Sequence, residues 1–592
     1  MEKILEIKEK YTNLAEKYNK DSRKFSNLRL LNVLIIAGVA LANFTKLLTF
    51  PYIIILLALL ICFAIIVRKE QLADDLSGQA KSVIDTALLY EKRKNGQWTK
   101  FEETGEEFIE EKDYAYIEDL QILGENSLFQ YLNCAKTKGG KRKLVAKFRN
   151  AFKETPENIK KKAKLSQDAI FELTENPELL LLFQGALGKI EKINEIDAED
   201  EKDAFTMERK FSYLDFAISL ILSAVTIVVA IMSKYNIHCL LVLLPLVFIQ
   251  FVSALVYQNS FDKELSKTGK NLRKVTELKA VCDLFENENF NSAELCNLKD
   301  KLNACQEVLK KLKKIDALES FRRNFLMWFL GNIFLSLNRF IIREYGKIQK
   351  EDKLKLYEAI SAMEDLEVLI SLGTINIVKD NVSAPEFSEE LVLECENIKH
   401  PLIVEEICKG NDFKSKREIN VITGSNMSGK TSFMKTIGVN LILAYSGGWI
   451  NGEGFMCPIV KIYTSINVKD DINKGISKFY AELLRLKEAM KSAKNGGKMI
   501  LFVDEIFSGT NYQDRIFGAK NIIQQLSNEN VMGFITTHDF ELCEIPCDNL
   551  ANYHFTEEYV NGKMQFSHKI NEGKCHGTNA VALMKETGLL AD

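Results

Sequence analysis

An α/β domain at the C-terminal end is the fold class this 592-residue sequence predicts, preceded by a mainly α-helical region with two inserted transmembrane helical hairpins. Three observations predict it. A glycine-rich loop beginning at Gly424 lies between a β-type apolar run and a helical run. Uncharged segments of membrane length come in pairs, at 30–67 and 211–258. Only 8 prolines interrupt the chain, which favours long helices over a proline-rich β architecture.

Taken in order, residues 1–29 read as a cytoplasmic helix, with eight Lys or Arg before the first apolar stretch. Residues 30–67 read as the first hairpin. Leu30 to Thr45 is uncharged, as is Leu47 to Val67, with Asn43, Lys46 and Pro51 supplying a turn. A bilayer core needs about 20 apolar residues per helix. The second stretch is long enough, and the first is if Lys46 snorkels at its end. A connecting segment follows at 68–112, then a helical region at 113–210. The pattern repeats at 211–258, where Phe216 to Ser233 and Tyr235 to Phe261 are uncharged and Lys234, Tyr235 and Asn236 form the turn. Each turn holds one lysine, whereas Arg68 and Lys69, and Arg209 and Lys210, flank the hairpins. Four spans are expected, with both termini on the cytoplasmic side of the cell membrane. Four such runs in hairpin pairs are hard to hide in a soluble core, and the first is no secretory signal because a second span follows at once.

The region 259–380 reads as helical. Leu295, Leu298, Leu302, Cys305, Leu309 and Leu312 make a narrow apolar stripe that fits either the chain's own core or a dimer contact. Leu76-Ser77-Gly78-Gln79 reads as a helix break. Acidic residues number 81 and basic residues 78, so nucleic-acid contact requires a local patch. Such patches occur at Lys138 to Lys143, Lys160 to Lys164 and Lys310 to Arg323. The 12 cysteines include no CxxC pair, and neither a disulfide nor a structural metal is expected.

Residues 381–592 carry the chemistry. Ile419 to Thr423 reads as a buried strand. Gly424, Ser425, Asn426, Met427, Ser428, Gly429, Lys430 and Thr431 then match GxxxxGK[ST], and a helix follows from Ser432. Such a loop cradles phosphate oxygens with backbone N–H groups at a helix N-terminus. Lys430 supplies a charge to the β- and γ-phosphates, and Thr431 a hydroxyl to Mg²⁺, so ATP and Mg²⁺ are the expected cofactors. Met499 to Val503 is a second apolar run, ending in Asp504-Glu505. Asp504 reads as the Mg²⁺ partner and Glu505 as the catalytic base. A third run, Phe534-Ile-Thr-Thr, delivers His538 to the same edge, where it can sense the γ-phosphate. Gly475 and Ser477 precede an amphipathic helix with Phe479, Leu483, Leu486 and Met490 on one face.

These residues resemble the MutS ATPases of DNA mismatch repair. GSNMSGKTS at 424–432, GISKFYAE at 475–482, VDEIFSGTN at 503–511 and TTHD at 536–539 are similar to that family's phosphate loop, trans-acting loop, metal-and-base segment and histidine loop. His400-Pro401, Asn411-Asp412 and EGKCHGTNAVALMKETGL at 572–589 are similar to flanking segments. Residues 126–148 and 356–375 look like pieces of the family's helical core. The resemblance implies a P-loop NTPase of ABC-like, MutS type, hydrolysing ATP to ADP and phosphate. It also implies a homodimer through the ATPase domains in which Ser477 completes the partner's site, and double-stranded DNA as a partner beside the lipid bilayer. The departures are at the N-terminus, where a hairpin replaces the mismatch-reading domain, and at 211–258, where a hairpin interrupts the core. Phe101-Glu102-Glu103 matches the family's wedge triplet by chance. The load is therefore open among mismatched DNA, a protein or the bilayer, and, least favoured, a transported solute.

Overall fold

A computed structural model describes residues 1–42, 50–110, 114–188, 213–233, 237–323, 325–348, 350–425, 427–466, 478–560 and 563–574. The first two helices, Glu2–Ala42 and Phe50–Lys94, run as a long antiparallel pair. Their outer parts carry the apolar segment, and Leu30, Leu34, Ile61 and Ile65 are exposed there. Their inner parts bury Ile4, Ile7, Ala80, Val83 and Tyr90 against the body. The expected break at Leu76 to Gln79 is absent, because Phe50–Lys94 is one helix through Gly78. The Ser77 hydroxyl donates to Asn19 Oδ1 across the pair at 2.8 Å. That bond and the surrounding packing offset the roughly 1 kcal/mol a glycine costs inside a helix.

The second pair is Tyr213–Met232 and Cys239–Glu286, the latter a 48-residue helix. Among the described residues, Tyr213–Met232 and Cys239–Val256 are the two stretches long and apolar enough to cross a membrane, with 17% and 11% of their apolar windows buried. The turn expected at 234–236 lies outside the described residues, as does the 43–49 turn of the first pair. A polar seam runs through the second pair. Gln250 Nε2 donates to the Leu222 carbonyl at 3.1 Å, and Thr226 lies beside it. Arg339 donates to Ser219 Oγ at 3.0 Å and Ser253 Oγ at 2.7 Å. Ser336, in a left-handed turn between helices Phe325–Leu335 and Leu337–Gly346, bonds Ser223 at 3.1 Å.

The first pair and the long helix Cys239–Glu286 of the second dock on one short helix, Pro177–Gly188, which is buried on nearly every side. Ser82 Oγ donates to the Gly185 carbonyl at 2.7 Å, and Gln184 Nε2 to Tyr90 Oη at 2.8 Å. On the other side Phe183 meets Phe285 edge to face at 5.4 Å. Gly185 eases this approach, since a Cβ there would lie 3.3 Å from the Val83 nitrogen. The Leu295 to Leu312 stripe is buried in the chain's own core, split between helices Ala293–Ala304 and Gln306–Arg323. Much of the first basic cluster is spent internally: Lys141 meets Glu103, and Lys143 meets Glu364 and Asp365. In the Phe101 triplet, the Phe101 ring packs under the Arg93 guanidinium, 5.0 Å from its centroid.

The C-terminal region is α/β. Its strands are β1 Val382–Ser383, β2 Glu386–Ser388, β3 Val392–Ile398, β4 Asn411–Lys416, β5 Ile419–Thr423, β6 Ile450–Asn451, β7 Gly454–Pro458, β8 Lys461–Ser465, β9 Met499–Val503, β10 Val531–Thr536, β11 Leu550–Val560 and β12 Lys563–Glu572. The main sheet has the order β12-β11-β5-β10-β9-β8, parallel except for β12. A smaller sheet orders β2-β7-β3-β4. Every residue of β5, β9 and β10 is buried, as expected when helices cover both faces of a parallel sheet. Ile422, Phe502 and Phe534 face the main core, whereas Val421, Val503 and Ile535 face helices Lys478–Lys494 and Tyr512–Ser527. Parallel register brings the C-terminal ends of β5, β8, β9 and β10 to one edge, where ligands of open α/β sheets bind.

Candidate functional site

Residues 424–429 leave β5 at that edge and enter helix Lys430–Tyr445. Gly424 and Gly429 have φ of 145° and 117°, conformations an L side chain resists. A Cβ at Gly424 would also lie 2.9 Å from Ser428 Oγ and 3.0 Å from the Phe555 carbonyl. Met427 points outward and is 82% exposed. The buried Lys430 curls back so that Nζ donates to the carbonyls of Gly424 at 2.7 Å and Ser425 at 2.8 Å.

Thr431, the next residue, donates to Asp504 at the end of β9, with Oγ1 at 3.0 and 2.8 Å from the two carboxylate oxygens. Thr536 at the end of β10 donates to Asp504 Oδ1 at 2.6 Å and accepts from the Glu505 nitrogen at 2.8 Å. Glu505 has φ of 51° and Phe507 58°, so the turn after β9 is left-handed at two non-glycine positions. Such backbone costs of order 1–3 kcal/mol and persists where its surroundings over-determine it. Here the determinant is Glu482, 3% exposed, whose Oε1 accepts from the Phe507 nitrogen at 2.8 Å. Burial raises the Glu482 pKa, and that amide bond opposes the rise. His538 Nε2 lies 3.4 Å from Glu505 Oε1, and both side chains are about half exposed.

Of the residues expected to form the site, Lys430, Thr431, Asp504, Glu505 and His538 therefore converge at one sheet edge. Gly424, Ser425, Ser428, Gly429 and Ser432 lie on the loop or the first turn of its helix. Asn426 and Ser477 fall outside the described residues. Helix Lys478–Lys494 begins directly after Ser477 and sets Leu486 into the core, with Phe479, Leu483 and Met490 packed beside it. Sequence reasoning missed Thr536, whose signal is the Thr-Thr pair ahead of His538. It also missed Arg515, which grips Asp539 beside His538 through bonds of 2.8 and 3.0 Å. His568 was missed too. Its ring lies against the loop, Nδ1 3.1 Å from the Ser428 carbonyl, and no local motif announces it. The donor set suits a magnesium nucleotide: a threonine hydroxyl and a carboxylate in mutual contact, beside an ammonium whose bonds are to loop carbonyls.

The region that carries this edge matches known proteins. A model of MutS domain V matches residues 420–590. The DNA mismatch repair protein MutS of Geobacillus thermodenitrificans is 30% identical over 251 residues, covering 40% of this chain and 27% of that protein. MutS of Aquifex pyrophilus is 26% identical over 311 residues, 51% of this chain and 33% of that protein. MutS of Staphylococcus saprophyticus is 29% identical over 257 residues, 41% and 28%. The chain is MutS-related. The matches span about a third or less of those MutS proteins' lengths, so the likeness describes part of a MutS protein joined to segments outside the match.

Proposed function

We propose that this MutS-related chain is a membrane-anchored ATPase whose nucleotide cycle moves its helical body and apolar hairpins. The observation that carries the reading is the contact of Thr431, Asp504 and Thr536 directly beneath the 424–429 loop, with Glu505 alongside. When bound, Mg²⁺ would neutralise phosphate charge and orient the γ-phosphate for attack. Thr431 and Asp504 would hold the metal, and Lys430 would turn from its loop carbonyls to phosphate oxygens. Glu505 would accept a proton from the attacking water. His538, in reach of Glu505, would orient that carboxylate. Two copies would pair through these domains, with Ser477 of each completing the partner's site. The two apolar pairs would anchor the molecule as four spans with the ATPase region cytoplasmic. Exposure of the second pair's apolar windows supports that anchoring.

The test is ATP turnover and ATP binding by the purified full chain in detergent. Glu505→Gln is expected to keep binding while turnover falls at least about 100-fold, the scale of a lost general base. Unchanged turnover removes Glu505 from the role.

A second reading adds double-stranded DNA as the load. It is favoured by the exposed lysines 160, 161 and 164 on helix Pro156–Glu175. Mismatch-preferring binding with a steep salt dependence supports this reading, and duplex-indifferent turnover favours a protein or bilayer load instead.

A further inference from the structure

The ATPase region and the helical body meet at residues 115–123, a segment that grips three pieces of the nucleotide edge. Asp119 ends the short helix Ala115–Asp119 and is 0% exposed. Its carboxylate accepts from Arg485 Nη1 at 3.1 and 2.9 Å and from the Ile466 nitrogen, just past β8, at 3.1 Å. Leu120 fills the notch left by Gly438 on the phosphate-loop helix, where a Cβ would lie 2.7 Å from it. Gln121 Oε1 accepts from Lys435 at 3.2 Å, one turn beyond Thr431. On the other side the Tyr116 hydroxyl donates to the carbonyls of Phe148 and Arg149, at 2.8 and 3.0 Å, which ties the segment to helix Lys138–Arg149 of the body.

The Arg485 contact reaches furthest. Arg485 and Glu482 sit three residues apart on helix Lys478–Lys494, on neighbouring turns of one face. Glu482 is the group that holds the left-handed turn at Phe507, two residues after Glu505. A shift of this helix along or about its axis carries Glu482 with it and releases the turn. A buried carboxylate with both oxygens engaged fixes such a helix more firmly than apolar packing does, because slippage leaves a charge unpaired in the interior. We propose that Asp119 acts through Arg485 and Glu482 to place the Glu505 turn, and is thus a positioning residue for ATP turnover. This deepens the ATPase reading and rests on it. It also makes the helical body part of the site, since Asp119 belongs to a segment some 300 residues before the phosphate loop.

The experiment compares the full chain in detergent with Asp119→Asn, Arg485→Gln and the double variant. Each single substitution is expected to lower kcat about 10- to 100-fold, the cost of a small misplacement of a reacting group. Affinity for a fluorescent ATP analogue is expected to stay within about twofold, and the double variant to fall no further than the worse single, as for two residues acting as one pair. Arg485→Lys, which keeps the charge, is expected to recover part of the lost kcat. Unchanged kcat, affinity falling in step with kcat, or additive losses overturn the proposal. If Asp119→Asn does not fold, Arg485→Gln carries the test, because that side chain is 27% exposed. A second readout needs no turnover: the Phe507 amide is expected to exchange with solvent hydrogen at least tenfold faster in Arg485→Gln. Unchanged protection overturns the proposal even if the chain proves inactive toward ATP, whereas faster exchange in an inactive chain would sink only the ATPase reading.

Discussion

The nucleotide edge and the second apolar pair treat buried polar groups in opposite ways. At the sheet edge, Thr431, Asp504 and Thr536 bond one another, but the array opens outward through Glu505 and His538, both about half exposed. In the hairpin, Ser219, Ser223, Thr226 and Gln250 close on one another and on Ser336 and Arg339 beside it, beneath exposed apolar side chains. An array open on one side can take a ligand. A closed seam turns its hydrogen bonds to fixing how helices cross, and between apolar helices such bonds hold register. Polar residues in an apolar stretch are therefore ambiguous until their partners are known.

Four substitutions probe open and closed polar sites and the packing around them. Lys430→Ala is expected to act at the open edge alone: ATP affinity should fall at least about 100-fold, the loss of charge-assisted bonds to phosphate, with the melting temperature little changed. Titration calorimetry reads this, and retained affinity would remove Lys430 from the phosphate site.

Glu367 tests a closed polar site away from both regions. It is 2% exposed and accepts from the backbone nitrogens of Lys136 and Thr137 at 2.6 and 3.2 Å, and from the Thr137 hydroxyl. Burial pushes its pKa up to about 7 from 4.5, against those bonds. The folded chain thus holds the proton more tightly than the unfolded chain. The contribution of this group to stability is fully present below pH about 4.5 and is lost as pH rises to about 7, by about 3 kcal/mol. Glu367→Gln should flatten the fall in melting temperature over that interval, and an unchanged slope assigns it elsewhere.

Arg339→Ala is expected to act on the seam alone, costing about 1.5–3 kcal/mol as its bonds to Ser219 and Ser253 are lost. Denaturation in detergent should show the loss while ATP affinity holds. The smallest effect is expected at Gly331, where a Cβ would meet Leu337 Cδ2 at 2.9 Å. The leucine end can rotate away, but its Cβ, 3.2 Å off, must shift slightly, so Gly331→Ala should cost about 1 kcal/mol, read as a small drop in melting temperature.

The α/β class of the C-terminal region and the helical character of the rest were legible because each rests on a local signal. A short β-type run leading into a glycine-rich loop marks a parallel strand at Ile419–Thr423, and an apolar run of five ending in two carboxylates marks another at Met499–Val503. Sequence-local motifs also pointed to the residues that meet at the edge. Ser77-Gly78 was misread because helix breaking by glycine is a propensity, and the neighbouring helix overrode it. The Leu295 to Leu312 stripe was legible as a buried face but not as to what buried it, since periodicity carries no partner. Asp119, Arg515 and His568 were invisible as site neighbours, and Thr536 was passed over although the Thr-Thr pair ahead of His538 marks it. Asp119 meets Arg485 across 366 positions of sequence, and nothing in either segment names the other. A separation of 120 positions likewise hides the pairing of Ser219 with Arg339.

Helix Pro177–Gly188 carries a mechanical corollary. The first pair is bolted to it by hydrogen bonds and the long helix Cys239–Glu286 of the second by a ring contact on the opposite flank, and almost none of its surface is free to slide. Two legs sharing one hip cannot stride independently. A torque delivered to either pair is felt by the other, so the four long rods should lean together as a single rocking beam.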